Sequence, residues 1–175
     1  MALGMRLPGG AAPAALRRTL MDSQATGVSL RRAIVAVSVA GMTGMAIVAL
    51  FQSGLIKHLP DPALDAFDSD DVNASDAAFA WGMPDAPISL RSHATNLALA
   101  TLGDAQRAVD HPWLPIVATV LAAPGAVTST RRVLDGVSTA DKALSPYLIV
   151  DSLMHVAAFG LTLWEFRKAL KRLAS

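Results

Sequence analysis

Cysteine is absent from all 175 residues. Its absence excludes a disulfide framework, a thiolate zinc or iron–sulfur site and any redox CxxC pair, and with them every reaction that runs through a thiol. Charge is scarce as well. Asp, Glu, Lys and Arg make up 17% of the chain against 53% hydrophobic residues, and the mean hydropathy is +0.42. A soluble domain of this length carries more charge, so the composition points to a membrane protein. No stretch resembles a glycine-rich phosphate loop, a nucleophile triad or a nucleic-acid surface, and no nucleic-acid partner is expected. His58 and His111 lack the spacing of metal ligands, and no metal site is expected.

What the chain does have is long apolar runs. A bilayer core of roughly 30 Å needs about 20 helical residues, and four stretches approach that length: 33–56, 88–103, 112–128 and 144–164. The first carries no charge between Ala33 and Leu50 and is expected to be retained, because no small-residue cleavage site follows it. The second is short and carries Arg91, His93 and Asn96, so it should span only inside a bundle. The third holds Pro124-Gly125, placed to kink or break it. The fourth carries Asp151 and His155 within an apolar run. The expected fold is all-α: a four-helix transmembrane bundle over residues 31–168, with an N-terminal arm over 1–30 and a basic tail over 169–175.

Basic residues flank the two ends, with Arg6, Arg17, Arg18, Arg31 and Arg32 before the first span and Arg167, Lys168, Lys171 and Arg172 after the last. Both termini are therefore expected in the cytoplasm. Arg131 and Arg132, in an outer loop, run against that bias. The 57–87 segment, rich in aspartate, is expected outside as a folded cap. Its prolines and its Leu64, Phe67, Phe79 and Trp81 suggest buried contacts and a short amphipathic helix near Ala74–Ala80. Asp65, Asp68, Asp70 and Asp71 lack the glycine and final glutamate of an EF-hand loop and read as solvated surface. Trp81, Trp113 and Trp164 fall near span ends, as an aromatic belt would.

Ionisable groups at membrane depth are costly and usually face protein or water. Asp151 and His155, four residues apart, share a helix face, and Ser89, His93 and Asn96 form a similar stripe on the second span. The two stripes enter at comparable depth. Two readings stand: a polar pocket for a quinone headgroup or proton relay, and a helix lock in which Asp151 pairs with Arg91 or a histidine. The lock is favoured, because polar helices need interhelical bonds more often than they house chemistry. Gly41 and Gly44, with Ala40 and Ala46, permit close helix approach, expected chiefly inside the bundle.

The outer segment carries Gly54-Leu55-Ile56-Lys57-His58-Leu59-Pro60-Asp61-Pro62, Phe67-Asp68-Ser69-Asp70-Asp71-Val72-Asn73-Ala74-Ser75 and Trp81-Gly82-Met83-Pro84-Asp85. In these motifs the chain resembles a divergent bacterial branch of the vitamin K epoxide reductase (VKOR-like) family. The resemblance implies a four-helix bundle in the inner membrane of a bacterium, with a quinone pocket shielded by the first outer loop. It also implies a CxxC at the opening of the fourth helix, where this chain has Ser145-Pro146-Tyr147-Leu148. An alcohol cannot cycle through a disulfide, so the family's redox step is excluded. The resemblance further places Asp85 where the family hydrogen-bonds quinone through asparagine. The candidate ligand pocket is then Asp85, His93, Asn96, Asp151 and His155.

The expectation is a non-catalytic membrane protein, an accessory or scaffolding subunit of a larger respiratory or photosynthetic complex. Its expected contacts are membrane lipids and other membrane subunits, and it requires no cofactor, with a bound quinone or lipid as an option. The alternative is a cysteine-independent quinone-handling oxidoreductase.

Overall fold

The computed structural model describes residues 13–138 and 144–175. Arg6 and the Pro8–Ala12 part of the expected arm lie outside the described residues. Regular structure among the described residues is helical, with one isolated bridge between Phe67 and Leu144. The order is α1 (Pro13–Asp22), α2 (Thr26–Gln52), α3 (Ser69–Ala74), a 3₁₀ turn (Asp76–Phe79), α4 (Asp85–Thr101), α5 (Arg107–Asp110), α6 (Trp113–Ser138) and α7 (Pro146–Leu173). Within the segment expected as an arm, residues 13–22 are helical and α2 already begins at Thr26.

Three of these helices, α2, α6 and α7, are long and apolar enough to cross a membrane. The 17-residue α4 is shorter and more polar. It lies against α2 and α6, while α7 packs along both α2 and α6.

The interior of this assembly is small and polar, and the large apolar side chains face outward. Buried apolar positions are mostly alanine, among them Ala86, Ala100, Ala118, Ala122, Ala126, Ala158 and Ala169. Val39, Leu50, Val120, Leu121, Val127, Leu134, Val150, Leu153 and Val156 are exposed. Small residues let helix backbones approach, and an apolar solvent removes the penalty on exposed Leu and Val. The main cluster of larger apolar residues lies where α2 meets the outer segment, around Met45, Val48, Leu59 and Ala86.

Helix ends depart from the expected spans for identifiable reasons. Helix α2, the first expected span, starts before Ala33, at Thr26, because Arg31 is satisfied inside the protein: its guanidinium donates to the carbonyls of Leu102, Gly103 and Asp104, each at 3.0 Å. Those carbonyls lie just past the end of α4 at Thr101, where Gly103 (φ +77) turns the chain. Helix α2 stops at Gln52, short of Ile56, ahead of Gly54 in the left-handed region.

The expected break at Pro124 does not occur. Residues 113–138 form one helix, Pro124 is exposed on its outer face, and the Thr128 hydroxyl donates to the Pro124 carbonyl at 2.8 Å. The last helix begins with Pro146 in its first turn, where its missing N–H costs nothing. It runs past Trp164 to Leu173, with Lys171 and Arg172 complementing the dipole of its last turn.

The outer segment is built on aspartates rather than on apolar burial. Asp68 caps α3 by accepting from the Asp71 amide at 2.9 Å. Asp61 accepts from the Ser69 amide and hydroxyl at 2.7 and 2.6 Å, and Asp70 from the Leu59 amide at 2.7 Å. The helix expected at 74–80 is replaced by α3 upstream and a 3₁₀ turn, separated by Ser75 in extended conformation. Leu64 and Trp81, expected to be buried, are 61% and 81% exposed, because hydrogen bonds hold this segment's core in place of large side chains.

Candidate functional site

The interior stripe of α7 recurs at Leu148, Asp151, Ser152, His155, Ala158, Thr162, Glu165 and Ala169, all buried. Apart from Ser152, the steps alternate between three and four residues, which keeps one helix face toward its neighbours. That face positions three polar centres, two within the helices and one beneath the outer segment.

The middle centre brings together His93, Asp151 and His155, with Ser89 beside them. His93 Nε2 lies 3.0 Å from Asp151 Oδ1, and the Ser89 hydroxyl donates to the same oxygen at 2.6 Å. His155 Nε2 is 3.0 Å from Ser89 Oγ and 3.7 Å from Asp151 Oδ1. The two imidazoles stack with centroids 3.9 Å apart and planes inclined by 11°. Glycines on the other two helices make room. A Cβ on Gly41 of α2 would collide with the His93 ring, and one on Gly125 of α6 would lie 2.7 Å from His155 Nδ1.

This geometry is not that of a hydrolase triad. In a triad the imidazole bridges serine and aspartate through opposite ring nitrogens. Here Ser89 and Asp151 share the Nε2 edge, and neither Nδ1 has a hydrogen-bond partner. The ligand atoms of His93, Asp151 and His155 lie within 4.8 Å of one another, a donor set able to take a divalent cation. The bare Nδ1 atoms lack the acceptors that usually orient metal-bound histidines. What the arrangement does as it stands is join α4 to α7 around one buried carboxylate.

The other expected site residues lie apart from this centre. Asn96, one turn along α4 from His93, is 4% exposed and outside the hydrogen-bonded cluster, with its amide nitrogen unpartnered. Asp85 opens α4, accepts from Gln52 Nε2 at 2.8 Å and pairs with Arg132. Arg91 does not lock α4 to Asp151. It is exposed, because the face of α4 that carries His93 and Asn96 inward turns Arg91 outward. A histidine takes the role instead.

A second centre, beneath the outer segment, joins the start of α7 to α3. Ser145 Oγ is 3.0 Å from Ser69 Oγ and accepts from Asn73 Nδ2 at 3.1 Å, with all three residues buried. Beside it is a cavity of about 400 Å³ lined by Val72, Ser75, Arg132, Leu148 and Ile149 among others. None of the expected pocket residues lines it, although Arg132 connects it to Asp85.

The third centre lies near the far end of α7. Glu165 accepts from Arg107 at 2.9 Å and lies 3.8 Å from Arg31 Nε. Arg107 also donates to the Leu99 and Leu102 carbonyls at 2.5 and 2.8 Å. Sequence reasoning takes Arg31 as a topogenic flank and passes over Glu165 and Arg107. The available signal is the continuation of the Asp151–His155 stripe to Glu165.

Comparison with protein-family models, with curated proteins and with solved structures finds no match for this chain.

Proposed function

We propose that the chain is a non-catalytic integral membrane protein: a VKOR-like four-helix bundle serving as an accessory or scaffolding subunit of a larger membrane complex. In this reading α4 is the fourth span. Ser89, His93 and Asn96 turn into the assembly, and the outward Arg91, in the second turn of α4, is placed to reach the nearby interface with its long side chain. The outer segment is the cap, both termini are cytoplasmic, and the membrane is the bacterial inner membrane.

The observation that carries the reading is the state of Ser145. At the position where the family resemblance calls for a thiol stands a buried alcohol, held by Ser69 and Asn73. The residue anchors the outer segment to α7 and offers no redox chemistry. The exposed Phe79, Trp81 and Met83 on that segment supply apolar surface for a neighbouring subunit or the membrane interface. Purification from native membranes in mild detergent tests the proposal. A large complex containing this chain in fixed stoichiometry is expected, and recovery of the chain alone as an active quinone reductase would refute it.

The cavity of about 400 Å³ beside Ser145 favours one second reading, a bound quinone-class ring between the outer segment and α7. Arg132 at its wall supplies a donor. Extraction of the purified protein for bound quinone, with Ile149→Trp as the filled-cavity control, decides between an occupied and an idle pocket.

A further inference from the structure

Three arginines meet at the end of the assembly where α1, α2 and α4 converge. Arg31 and Arg107 are each 2% exposed, and Arg32 is half-buried. The carboxylates facing them are Glu165 and the half-buried Asp104, which also acts on Arg31 electrostatically. Three guanidinium charges against two carboxylates leave one positive charge in excess.

The excess coincides with unmet donors. Arg32 Nε donates to the Leu20 carbonyl at 2.9 Å, but its Nη2 is buried without a hydrogen-bond partner; Arg31 Nε also lacks one, with Glu165 Oε1 at ion-pair distance, 3.8 Å away. A buried charged donor left without an acceptor is among the more costly features a protein can keep. Both arginines line a cleft of about 220 Å³ whose remaining wall is Leu20, Val28, Val35, Ala100 and Thr101, apolar but for the threonine. A cationic, donor-rich head beside an apolar wall, at the start of a helix long enough to span a membrane, matches one ligand chemistry. That chemistry is an anionic phosphodiester carrying an acyl chain.

We infer that this cleft binds an anionic phospholipid, with the phosphate held by Arg32 and Arg31 and the chain laid along the half-buried Leu20 and Val35. The inference rests on the membrane reading above. The structural duty of Arg31 toward the carbonyls just past α4 holds one guanidinium rigid, so the site is preorganised. Arg32, committed by a single bond to Leu20, supplies the free donor.

Native mass spectrometry of the full chain, purified in a neutral detergent and titrated with phosphatidylglycerol or phosphatidylcholine, tests the site. Phosphatidylglycerol is expected to give a one-to-one adduct that survives activation which strips phosphatidylcholine. Arg32→Gln is expected to weaken that adduct by about tenfold or more, as the loss of a charge-assisted bond implies, while the exposed Lys171→Gln leaves it unchanged. Should Arg32→Gln fail to fold, Val35→Trp, which fills the cleft, is expected to abolish the adduct.

Equal retention of the two lipids would overturn the proposal, as would an adduct indifferent to Arg32→Gln or Val35→Trp. Displacement of the lipid by millimolar inorganic phosphate would assign the cleft to a free anion instead. Co-purification with a larger complex is read separately, so failure of the lipid site leaves the subunit reading standing or falling by itself.

Discussion

His93 of α4 and His155 of α7 stack ring on ring, 3.9 Å between centroids, and both present Nε2 toward one oxygen of Asp151. Two helices are thereby tied through a single buried carboxylate, and each ring fits only because a glycine faces it. Replacing Asp151 should therefore act first on stability. Asp151→Ala removes the acceptor for Ser89 and His93 at once and is expected to cost about 3–5 kcal/mol. Asp151→Asn keeps one acceptor oxygen and should cost about 1–3 kcal/mol. Equilibrium unfolding in detergent micelles measures both, and equal stability of the two variants would show that the carboxylate is not the joint.

The glycines offer a sharper contrast. Gly41→Ala puts a methyl group into the His93 ring and should destabilise by about 1–3 kcal/mol through forced repacking. Gly44, one turn away, has nothing within 4 Å of its Cβ position, and Gly44→Ala should be neutral or stabilise by up to about 1 kcal/mol. Opposite signs in the same unfolding assay are the expected outcome. A cost at Gly44 equal to that at Gly41 would mean that the outward face of α2 also packs closely against something.

Much of this joint is legible in the sequence. Two ionisable residues four apart in an apolar run must share a face, and the polar stripe on α4 is a natural partner. The choice of histidine over Arg91 is not legible, since it depends on helix rotation, which apolar runs with weak amphipathicity do not specify. The inward turn of Gly41 and the outward turn of Gly44, Ala40 and Ala46 are hidden for the same reason. Helix ends are missed where a distant side chain satisfies them: Arg31 reaches carbonyls more than 70 positions away. Trp81 and Leu64 mislead because an apolar residue in a loop need not be buried, and this segment is held by hydrogen bonds to its aspartates instead.

The outer segment should respond to acid. Burial pushes the Asp70 carboxyl up, but hydrogen bonds from His58 and the Leu59 amide, together with the His58 charge, outweigh it and hold the group below its usual value. A depressed carboxylate adds stability that is fully present above its unfolded pKa of about 4 and is lost as pH falls through the lower folded value. Protection of the Leu59 amide, which donates to Asp70 at 2.7 Å, should follow that course in hydrogen exchange. Asp70→Asn should flatten the profile, and constant protection of the native chain from about pH 6 to about pH 2 would dissociate Asp70 from the segment's stability.

Ser145→Ala isolates the anchoring role assigned to that hydroxyl. The substitution removes the acceptor for Asn73 and the partner of Ser69 in a fully buried setting. A cost of about 1–3 kcal/mol is expected, concentrated in the outer segment. Limited proteolysis between Leu59 and Pro84 reads the effect directly: cleavage there should accelerate while the long helices stay protected. Unaltered cleavage would leave Ser145 without a structural duty and remove the observation on which the subunit reading rests.

Glu165 is the residue whose loss should be felt most widely, because it is the acceptor between two buried guanidiniums. Glu165→Gln keeps the shape but leaves Arg31 and Arg107 facing each other with only the half-buried Asp104 as a nearby negative charge, and a cost of about 3–5 kcal/mol follows for a buried pair broken on one side. The damage should spread along the chain, since the same two arginines hold the carbonyls just past the end of α4. Hydrogen exchange is expected to show fraying of α4 from Thr101 backward before α7 loosens. A double variant, Arg107→Leu with Glu165→Leu, removes both charges and should recover part of the loss by apolar packing, though the bonds of Arg107 to Leu99 and Leu102 go with it. If Glu165→Gln and the double variant are equally unstable, the electrostatic account of this end fails, and carbonyl capping by the arginines is what holds α4 in place.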